Sequence, residues 1–111
     1  MYQIHYLNKI SPQGTALWTE DFALNDDLNQ ADGVLVRSAS MHDMELPRNL
    51  LAIARAGAGV NNIPLTSCAD KGIVVFNTPG ANARSVMELT LCGMLLGSRD
   101  IIDGVNWVQS I

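Results

Sequence analysis

The sequence predicts an α/β fold in which a parallel β-sheet carries helices on both faces. Short apolar runs rich in β-branched residues alternate along the chain with helical or turn-rich stretches. The run at residues 33–37 is apolar without alternation, which is typical of a strand covered on both faces. A length of 111 residues, 48% of them hydrophobic, allows one compact domain with a real core.

Five stretches are predicted as strands, because each is apolar or aromatic and ends at turn-forming residues. They lie at residues 2–7, 22–24, 33–37, 51–55 and 73–76. The stretch at 22–24 is the weakest of them, since it is short and precedes an acidic loop.

Turn and helix signals fill the intervals between the strands. Residues 11–14 predict a turn, and short helices are expected near residues 26–30 and from Asp43 onward. Asn62 is predicted to cap a helix that runs to about Lys71, and Gly72 suits the position that stops it.

The last predicted helix has the clearest signal. Ser85 and Glu88 are spaced as in a capping box, where each side chain accepts a hydrogen bond from a free backbone N–H. The helix that follows is apolar on nearly every side, so burial all round is expected. Because a chain of this length cannot wrap that helix completely, we expect residues 89–96 to cause self-association.

Charge and composition exclude several classes of function. A net charge of −4 and a pI near 4.8 argue against general nucleic-acid binding, which needs a basic stripe. The acidity lies in residues 1–32, so an anionic small molecule meets less repulsion from the neutral remainder. No apolar run is long enough for a membrane span and no signal peptide opens the chain, which predicts a cytoplasmic protein without a membrane partner.

Cysteine and histidine spacing predicts no metal site. Cys68 and Cys92 are far apart without a CxxC motif and are predicted as structural thiols, with a disulfide or a metal pair as alternatives. His5 and His42 have no partner at metal-ligand spacing. Since no nucleophile motif, phosphate-binding GKS loop or His–acid dyad is present either, any active site here is only part of an enzyme.

The candidate site lies where predicted strands end, because ligands of parallel sheets bind beside the carboxyl ends. Arg37 and Ser38 follow one strand, and an Arg fork there can bind a phosphate or carboxylate with two hydrogen bonds. The two glycines of the turn at 56–59 let backbone N–H groups converge on an anion. A plain tight turn and a surface ion pair between Arg37 and Asp43 remain as alternatives, and Arg55 is expected to be a structural partner.

A dinucleotide-binding fingerprint at the glycine turn fails two tests. Asn62 stands where the third glycine belongs. The next predicted strand ends at residues 76–78 without the acidic residue that holds a ribose diol. A complete nucleotide site is therefore not expected in this chain.

Several separate motifs resemble the D-isomer-specific 2-hydroxyacid dehydrogenase family and occur in that family's order. They are VRS at 36–38, RAGAGVNNI at 55–63, KGIVVFNTPGAN at 71–82 and SVMELT at 85–90. The resemblance is strong over residues 33–105 and loose over residues 1–32.

The resemblance implies a substrate-binding domain of flavodoxin-like topology. In this family the domain is interrupted by an inserted NAD-binding Rossmann domain and completed by a carboxyl-terminal segment. Residues 1–82 correspond to its amino-terminal part and residues 83–111 to the helix that crosses toward the NAD-binding domain. The Rossmann domain and the family's catalytic Arg, Glu and His are absent from this sequence, so the chain is expected to be an incomplete domain that is inactive alone.

The resemblance also implies roles for single residues. The backbone N–H groups of Ala56, Gly57 and Ala58 are implied to bind the substrate carboxylate, with Ala58 also near the nicotinamide of the cofactor. Arg37 and Ser38 are implied to face a distal phosphate of the substrate.

Two asparagines complete this comparison. Asn82 matches the family asparagine that reaches into the cleft ahead of the crossing helix. Asn61 departs from the pattern, since many members carry Asp there, and its loss of charge weakens a structural hydrogen bond while leaving the anion site intact.

For the parent protein the resemblance implies NAD-linked oxidation of 3-phosphoglycerate to 3-phosphooxypyruvate in serine biosynthesis, by a homo-oligomer. A small anionic 2-hydroxy acid is thus the expected partner. Reduction of glyoxylate or hydroxypyruvate by the same kind of enzyme is one alternative. A non-enzymatic, corepressor-like or ligand-sensing role is the other.

Overall fold

Five parallel strands form one sheet in the order β2-β1-β3-β4-β5. The structure, a computed structural model, describes all 111 residues. The strands are β1 Tyr2–Tyr6, β2 Phe22–Leu24, β3 Gly33–Val36, β4 Ala52–Arg55 and β5 Val74–Phe76. Chain order reverses between β1 and β3, which creates the switch point beside which α/β sheets bind ligands. The predicted α/β class and flavodoxin-like topology are confirmed.

Four helices accompany the sheet. They are α1 Pro12–Thr15, α2 Leu65–Lys71, α3 Ala83–Ser98 and α4 Ile101–Ser110, and a 3₁₀ turn covers Leu28–Gln30. None of them combines the length and the apolar content that crossing a membrane takes. The chain divides into two compact units, Met1–Pro79 with the sheet and Gly80–Ile111 with α3 and α4.

The core of the first unit lies on one face of the sheet. The strand register puts Val34 and Ile53 side by side, and both are almost completely buried. Helix α2 packs beside β5 and contributes Cys68 to this core. Loop residues complete it, among them Met41, Leu46, Leu50 and Ile63.

The opposite face is covered near β1 and β2. Trp18, on the connection after α1, packs against Phe22 with ring centroids 4.9 Å apart and ring planes tilted by 40°, and it donates a hydrogen bond to the Tyr6 hydroxyl. The connection that follows α1 therefore contacts the sheet on this face. The cover is only partial, because large apolar side chains of three strands stay exposed: Tyr2 on β1, Leu24 on β2, and Val74 and Phe76 on β5.

Three local predictions in the first unit are wrong. The predicted turn at 11–14 is helix α1, which the Ser11 hydroxyl caps by accepting from the N–H of Gln13. No helix begins at Asp43, because that segment makes isolated turns that pack Leu46 into the core. Helix α2 begins at Leu65, so Asn62 does not cap it. Gly72 does end this helix, in the left-handed conformation that glycine favours (φ 72°).

The second unit differs from prediction at both ends of its first helix. Helix α3 begins at Ala83, so Ser85 lies inside it and the predicted capping box does not form. A second helix, α4, follows after Asp100, whose left-handed φ of 50° breaks the helical path. No residue of either helix is buried, so the expected burial of the apolar helix is not met within this chain.

Both cysteines are free thiols, which rules out the alternative of a disulfide between them. Cys68 is buried and Cys92 is exposed. Burial raises the pKa of the Cys68 thiol, and the nearby Lys71 only partly opposes this by favouring the thiolate.

Candidate functional site

The carboxyl ends of four strands meet at one edge of the sheet and are tied together by hydrogen bonds. Asn8 follows β1, Arg37 follows β3, the glycine turn at 56–59 follows β4, and Thr78 follows β5. Because the strands are parallel, all these ends lie on the same side, as the sequence predicted for Arg37 and the turn.

In the glycine turn, the N–H groups of Gly57 and Ala58 are free, whereas the carbonyls of the same two residues accept hydrogen bonds. The chain offers no hydrogen-bond acceptor to the backbone N–H groups of Gly57 and Ala58. Their carbonyls are engaged: Gly57 O accepts from the N–H of Thr78 at 2.9 Å, and Ala58 O from the amide of Asn77 at 2.9 Å. Two backbone N–H groups without partners, on residues whose carbonyls are engaged, give this part of the turn partial positive charge that suits an anion.

Ala56 differs from the two residues after it. Its N–H donates to the carbonyl of Val36 at 2.8 Å, which extends the pairing of β3 and β4 by one residue. This amide is therefore engaged, and of the three amides predicted as carboxylate donors only those of Gly57 and Ala58 are free.

The Arg55 side chain holds the glycine turn by hydrogen bonds to backbone carbonyls. Its Nε donates to the carbonyl of Arg37 at 2.7 Å, and its Nη1 donates to the carbonyl of Gly59. A Cβ added to Gly57 would lie 3.2 Å from the Arg55 guanidinium carbon. Arg55 thus acts as the structural partner that the sequence predicted, and glycine at 57 leaves room for it.

Arg37 carries a positive charge that no acidic side chain neutralises. The one ion pair in the chain joins Arg84 and Glu88 at 3.6 Å, so the alternative pairing of Arg37 with Asp43 does not form. The Arg37 guanidinium makes a single long hydrogen bond of 3.4 Å, to the carbonyl of Lys9. Both Arg37 and Ser38 are exposed, so their polar groups are free to bind a ligand.

Two residues that position this site were missed from the sequence. Asn8 accepts from the N–H groups of Arg37 and Ala39, and Asn62 donates to the carbonyls of the same two residues. For Asn8 the signal was its place directly after β1. For Asn62 a local helix-capping pattern hid a contact to a residue 25 positions away.

Neighbouring groups join the same two loops. The N–H of Met41 donates to the carbonyl of Asn62 at 2.8 Å, and the His42 ring nitrogen Nε2 lies 2.6 Å from the carbonyl of Asn61. The Asn61 side chain accepts no hydrogen bond from the N–H groups of Gly57 and Ala58, so both stay without a partner.

Asn82, the remaining predicted site residue, belongs to the second unit. It is the N-cap of α3 and makes no side-chain capping hydrogen bond there.

The first unit does not fit a complete dinucleotide. Asn62 replaces the third glycine, and its side-chain amide is committed to the loop after β3. After β5 comes Asn77, whose amide is committed to Ala58, and no acidic side chain stands there to hold a ribose.

Three comparisons place the chain among known proteins. The model of the family "D-isomer specific 2-hydroxyacid dehydrogenase, catalytic domain" matches residues 2–107. A hydroxypyruvate reductase of Thermotoga maritima is 40% identical over 98 residues, which are 86% of this chain and 32% of the reductase. A D-3-phosphoglycerate dehydrogenase of Sus scrofa is 41% identical over 73 residues, 63% of this chain and 14% of that protein.

A solved structure agrees with the sequence matches. The NAD⁺-bound 3-phosphoglycerate dehydrogenase of Entamoeba histolytica superposes with a TM-score of 0.75 at 26% identity, covering 86% of this chain and 39% of the other. The chain thus spans a third or less of the length of the two relatives that match its sequence.

Proposed function

The chain belongs to the D-isomer-specific 2-hydroxyacid dehydrogenases, and we propose that its sheet edge binds the anionic substrate of such an enzyme. The proposed substrate is 3-phosphoglycerate, which carries a carboxylate at one end and a phosphate at the other. The observation that carries the proposal is the pair of free N–H groups at Gly57 and Ala58, one strand away from the unpaired charge of Arg37.

The carboxylate is assigned to the glycine turn. Each of the two free N–H groups can donate to one of its two oxygens, and hydrogen bonds to a charged group contribute about 1.5–3 kcal/mol each. The bracing by Arg55 fixes the backbone at Gly59, so the turn does not have to become ordered when the ligand binds. The same guanidinium adds positive charge beneath the turn.

The phosphate is assigned to Arg37 and Ser38. A guanidinium offers two parallel donors that suit phosphate oxygens, and the Ser hydroxyl adds a third. A substrate held at both ends has one orientation, so its C2 hydrogen is presented in a fixed direction. Positioning of this kind is the contribution we propose for the chain.

For the whole enzyme we propose oxidation of 3-phosphoglycerate to 3-phosphooxypyruvate in serine biosynthesis. NAD, held by a separate Rossmann domain with only its nicotinamide end near Ala58, supplies the hydride acceptor. The catalytic Arg, Glu and His belong to that part of the enzyme, so the 111-residue chain is proposed to be inactive alone. A homo-oligomeric, cytoplasmic enzyme is part of the same proposal.

Reduction of hydroxypyruvate or glyoxylate is the second candidate. It is favoured by the 40% identity with the Thermotoga maritima reductase, a match that extends over more of the chain than the match with the Sus scrofa dehydrogenase. These substrates have the carboxylate but no phosphate, so under this alternative the glycine turn keeps its role and Arg37 loses it. A ligand-sensing role without catalysis predicts the same binding site.

Binding of two ligands to Arg37→Ala separates the candidates. We expect the purified chain to bind 3-phosphoglycerate more tightly than D-glycerate, and the variant to lose about tenfold in affinity for 3-phosphoglycerate alone. Arg48→Ala is the matched control, because Arg48 is exposed and lines a different groove, formed with Glu45 and Lys71. Equal losses for both ligands, or no preference in the unmodified chain, contradict the phosphate assignment.

A further inference from the structure

The loop that carries Arg37 and Ser38 is held by side chains from other parts of the chain. The N–H groups of Arg37 and Ala39 both donate to Asn8 Oδ1, at 2.8 and 3.2 Å. The carbonyls of the same two residues both accept from Asn62 Nδ2, at 3.0 and 2.8 Å. Two asparagines thus satisfy four backbone groups of the loop at residues 37–39.

The orientation of the Asn62 side chain is fixed by these partners. Carbonyl oxygens can only accept hydrogen bonds, so the amide nitrogen and not the amide oxygen must face Arg37 and Ala39. The Asn62 Oδ1 atom is buried and has no hydrogen-bond partner. A buried acceptor without a partner destabilises the fold. At Asn62 this cost accompanies the two hydrogen bonds that its Nδ2 donates.

A purely local role does not account for Asn62. Helix α2 begins at Leu65 with Pro64 as its N-cap and no side-chain capping bond. The Asn62 amide instead reaches the loop after β3, 23 and 25 residues earlier in the chain. Its two hydrogen bonds therefore link the end of the glycine-turn segment to the backbone of Arg37 and Ala39, on either side of Ser38.

We infer that Asn8 and Asn62 are positioning residues, which hold the loop at 37–39 so that Arg37 and Ser38 face the distal phosphate of the substrate. This inference rests on the proposed function. Arg55 supports the same loop, because its Nε gives the Arg37 carbonyl a second hydrogen bond at 2.7 Å. With the backbone fixed from both sides, only the exposed side chains of Arg37 and Ser38 have to become ordered when the phosphate binds.

One substitution made at both asparagines provides a matched test. Asn62→Asp removes the two donors and places a carboxylate oxygen against two carbonyls, whereas Asn8→Asp keeps an oxygen that accepts both N–H groups. Each change adds one negative charge beside the same loop and alters the shape of the side chain little. The added charge therefore repels an anionic ligand to a similar extent in the two variants. They differ in the hydrogen bonds to the loop at 37–39, which Asn8→Asp keeps and Asn62→Asp loses.

The measurement is calorimetric titration of the 111-residue chain and its variants with 3-phosphoglycerate and with D-glycerate, at a temperature where each variant is folded. We expect Asn62→Asp to lower the preference for the phosphorylated ligand about tenfold relative to Asn8→Asp. Asn8→Ala removes the accepted bonds without adding charge, and we expect it to lower that preference also. If Asn62→Asp does not fold, Asn8→Ala provides the test.

The ratio of the two affinities separates positioning from general stability. A purely structural role lowers stability but leaves the preference for the phosphorylated ligand unchanged in folded Asn62→Asp and Asn8→Ala, and that result overturns the inference. If Arg37→Ala still abolishes the preference in the same assay, the proposed function survives while the positioning role fails. If the unmodified chain shows no preference, the phosphate assignment and the inference fail together.

Discussion

The guanidinium of Arg55 occupies the space that a side chain at Gly57 would need. A Cβ added at Gly57 would lie 3.2 Å from both Cζ and Nη1 of Arg55, closer than ordinary van der Waals contact. The same guanidinium is held by hydrogen bonds to the carbonyls of Arg37 and Gly59, so the shift of a few tenths of an ångström that would relieve the contact strains both bonds. Glycine at 57 thus leaves room for the Arg55 hydrogen bonds that hold the glycine turn.

This contact predicts the effect of Gly57→Ala. We expect a loss of about 1 kcal/mol in the free energy of unfolding, because the shift forced on Arg55 weakens hydrogen bonds that include a charged donor. Affinity for D-glycerate is expected to fall as well. Urea unfolding followed by circular dichroism measures the first effect, and calorimetric titration the second.

Gly14→Ala is the control for this substitution. Gly14 lies in helix α1 with nothing within 4 Å of an added Cβ, so alanine there is expected to be neutral or to stabilise by up to about 1 kcal/mol. Equal unfolding free energies for the two alanine variants would show that Arg55 does not restrict position 57.

The two thiols are expected to differ in reactivity. Burial raises the pKa of Cys68, and the thiolate is the reactive form, so Cys68 reacts slowly with a maleimide or a disulfide reagent while exposed Cys92 reacts fast. We expect one fast equivalent per chain under native conditions and two in urea. The Cys92→Ser variant retains only Cys68 and should react slowly, whereas Cys68→Ser retains only Cys92 and should react fast. Fast modification of Cys92→Ser would contradict the burial of Cys68.

The raised pKa also gives stability a dependence on pH. The folded chain holds the Cys68 proton more tightly than the unfolded chain, so this contribution is complete below the ordinary thiol pKa. It is lost as the pH rises through the ordinary value toward the raised one. Unfolding free energies of the unmodified chain and of Cys68→Ala should therefore converge in alkaline solution.

Exposed apolar side chains on α3 and α4 predict self-association of the isolated chain. Leu89, Met94, Ile102 and Trp107 are each at least 60% exposed. Such a concentration of apolar surface favours contact with another surface over contact with water. Light scattering at rising concentration should show species larger than the 12.0 kDa monomer.

A charge placed on α3 should reverse this association. Leu89→Glu is expected to shift the chain toward monomer, whereas Gln109→Glu adds the same charge at a polar position of α4 and should change little. A monodisperse monomer for the unmodified chain at all concentrations would contradict the prediction.

The strands could be predicted from the sequence because runs of apolar, β-branched residues favour buried strands wherever they occur in the chain. All five strands lie within the predicted stretches, and Gly72 ends α2 as expected. The ends of helices were predicted less well, since more than one local signal competes there. Ser85 fits a capping box, yet α3 begins at Ala83, and Asp100 ends that helical path without a glycine or proline to signal it.

The candidate site was predictable as far as backbone chemistry determines it. Two glycines between a strand and a helix indicated a turn with free backbone donors, and the amides of Gly57 and Ala58 have no partner within the chain; whether they bind an anion stays a prediction. Pairing of Ala56 with Val36 depends on strand register, and the contacts of Asn62 depend on packing between distant segments. Neither is encoded in a local pattern.

The central claim is that the free amides of the glycine turn bind a carboxylate, and titration of the ¹⁵N-labelled chain with D-glycerate tests it most directly. We expect the amide signals of Gly57 and Ala58 to shift downfield in a saturable way. The Ala56 signal should move little, because its N–H already donates to Val36. Saturable shifts that bypass Gly57 and Ala58, or no binding of D-glycerate at all, would contradict the claim.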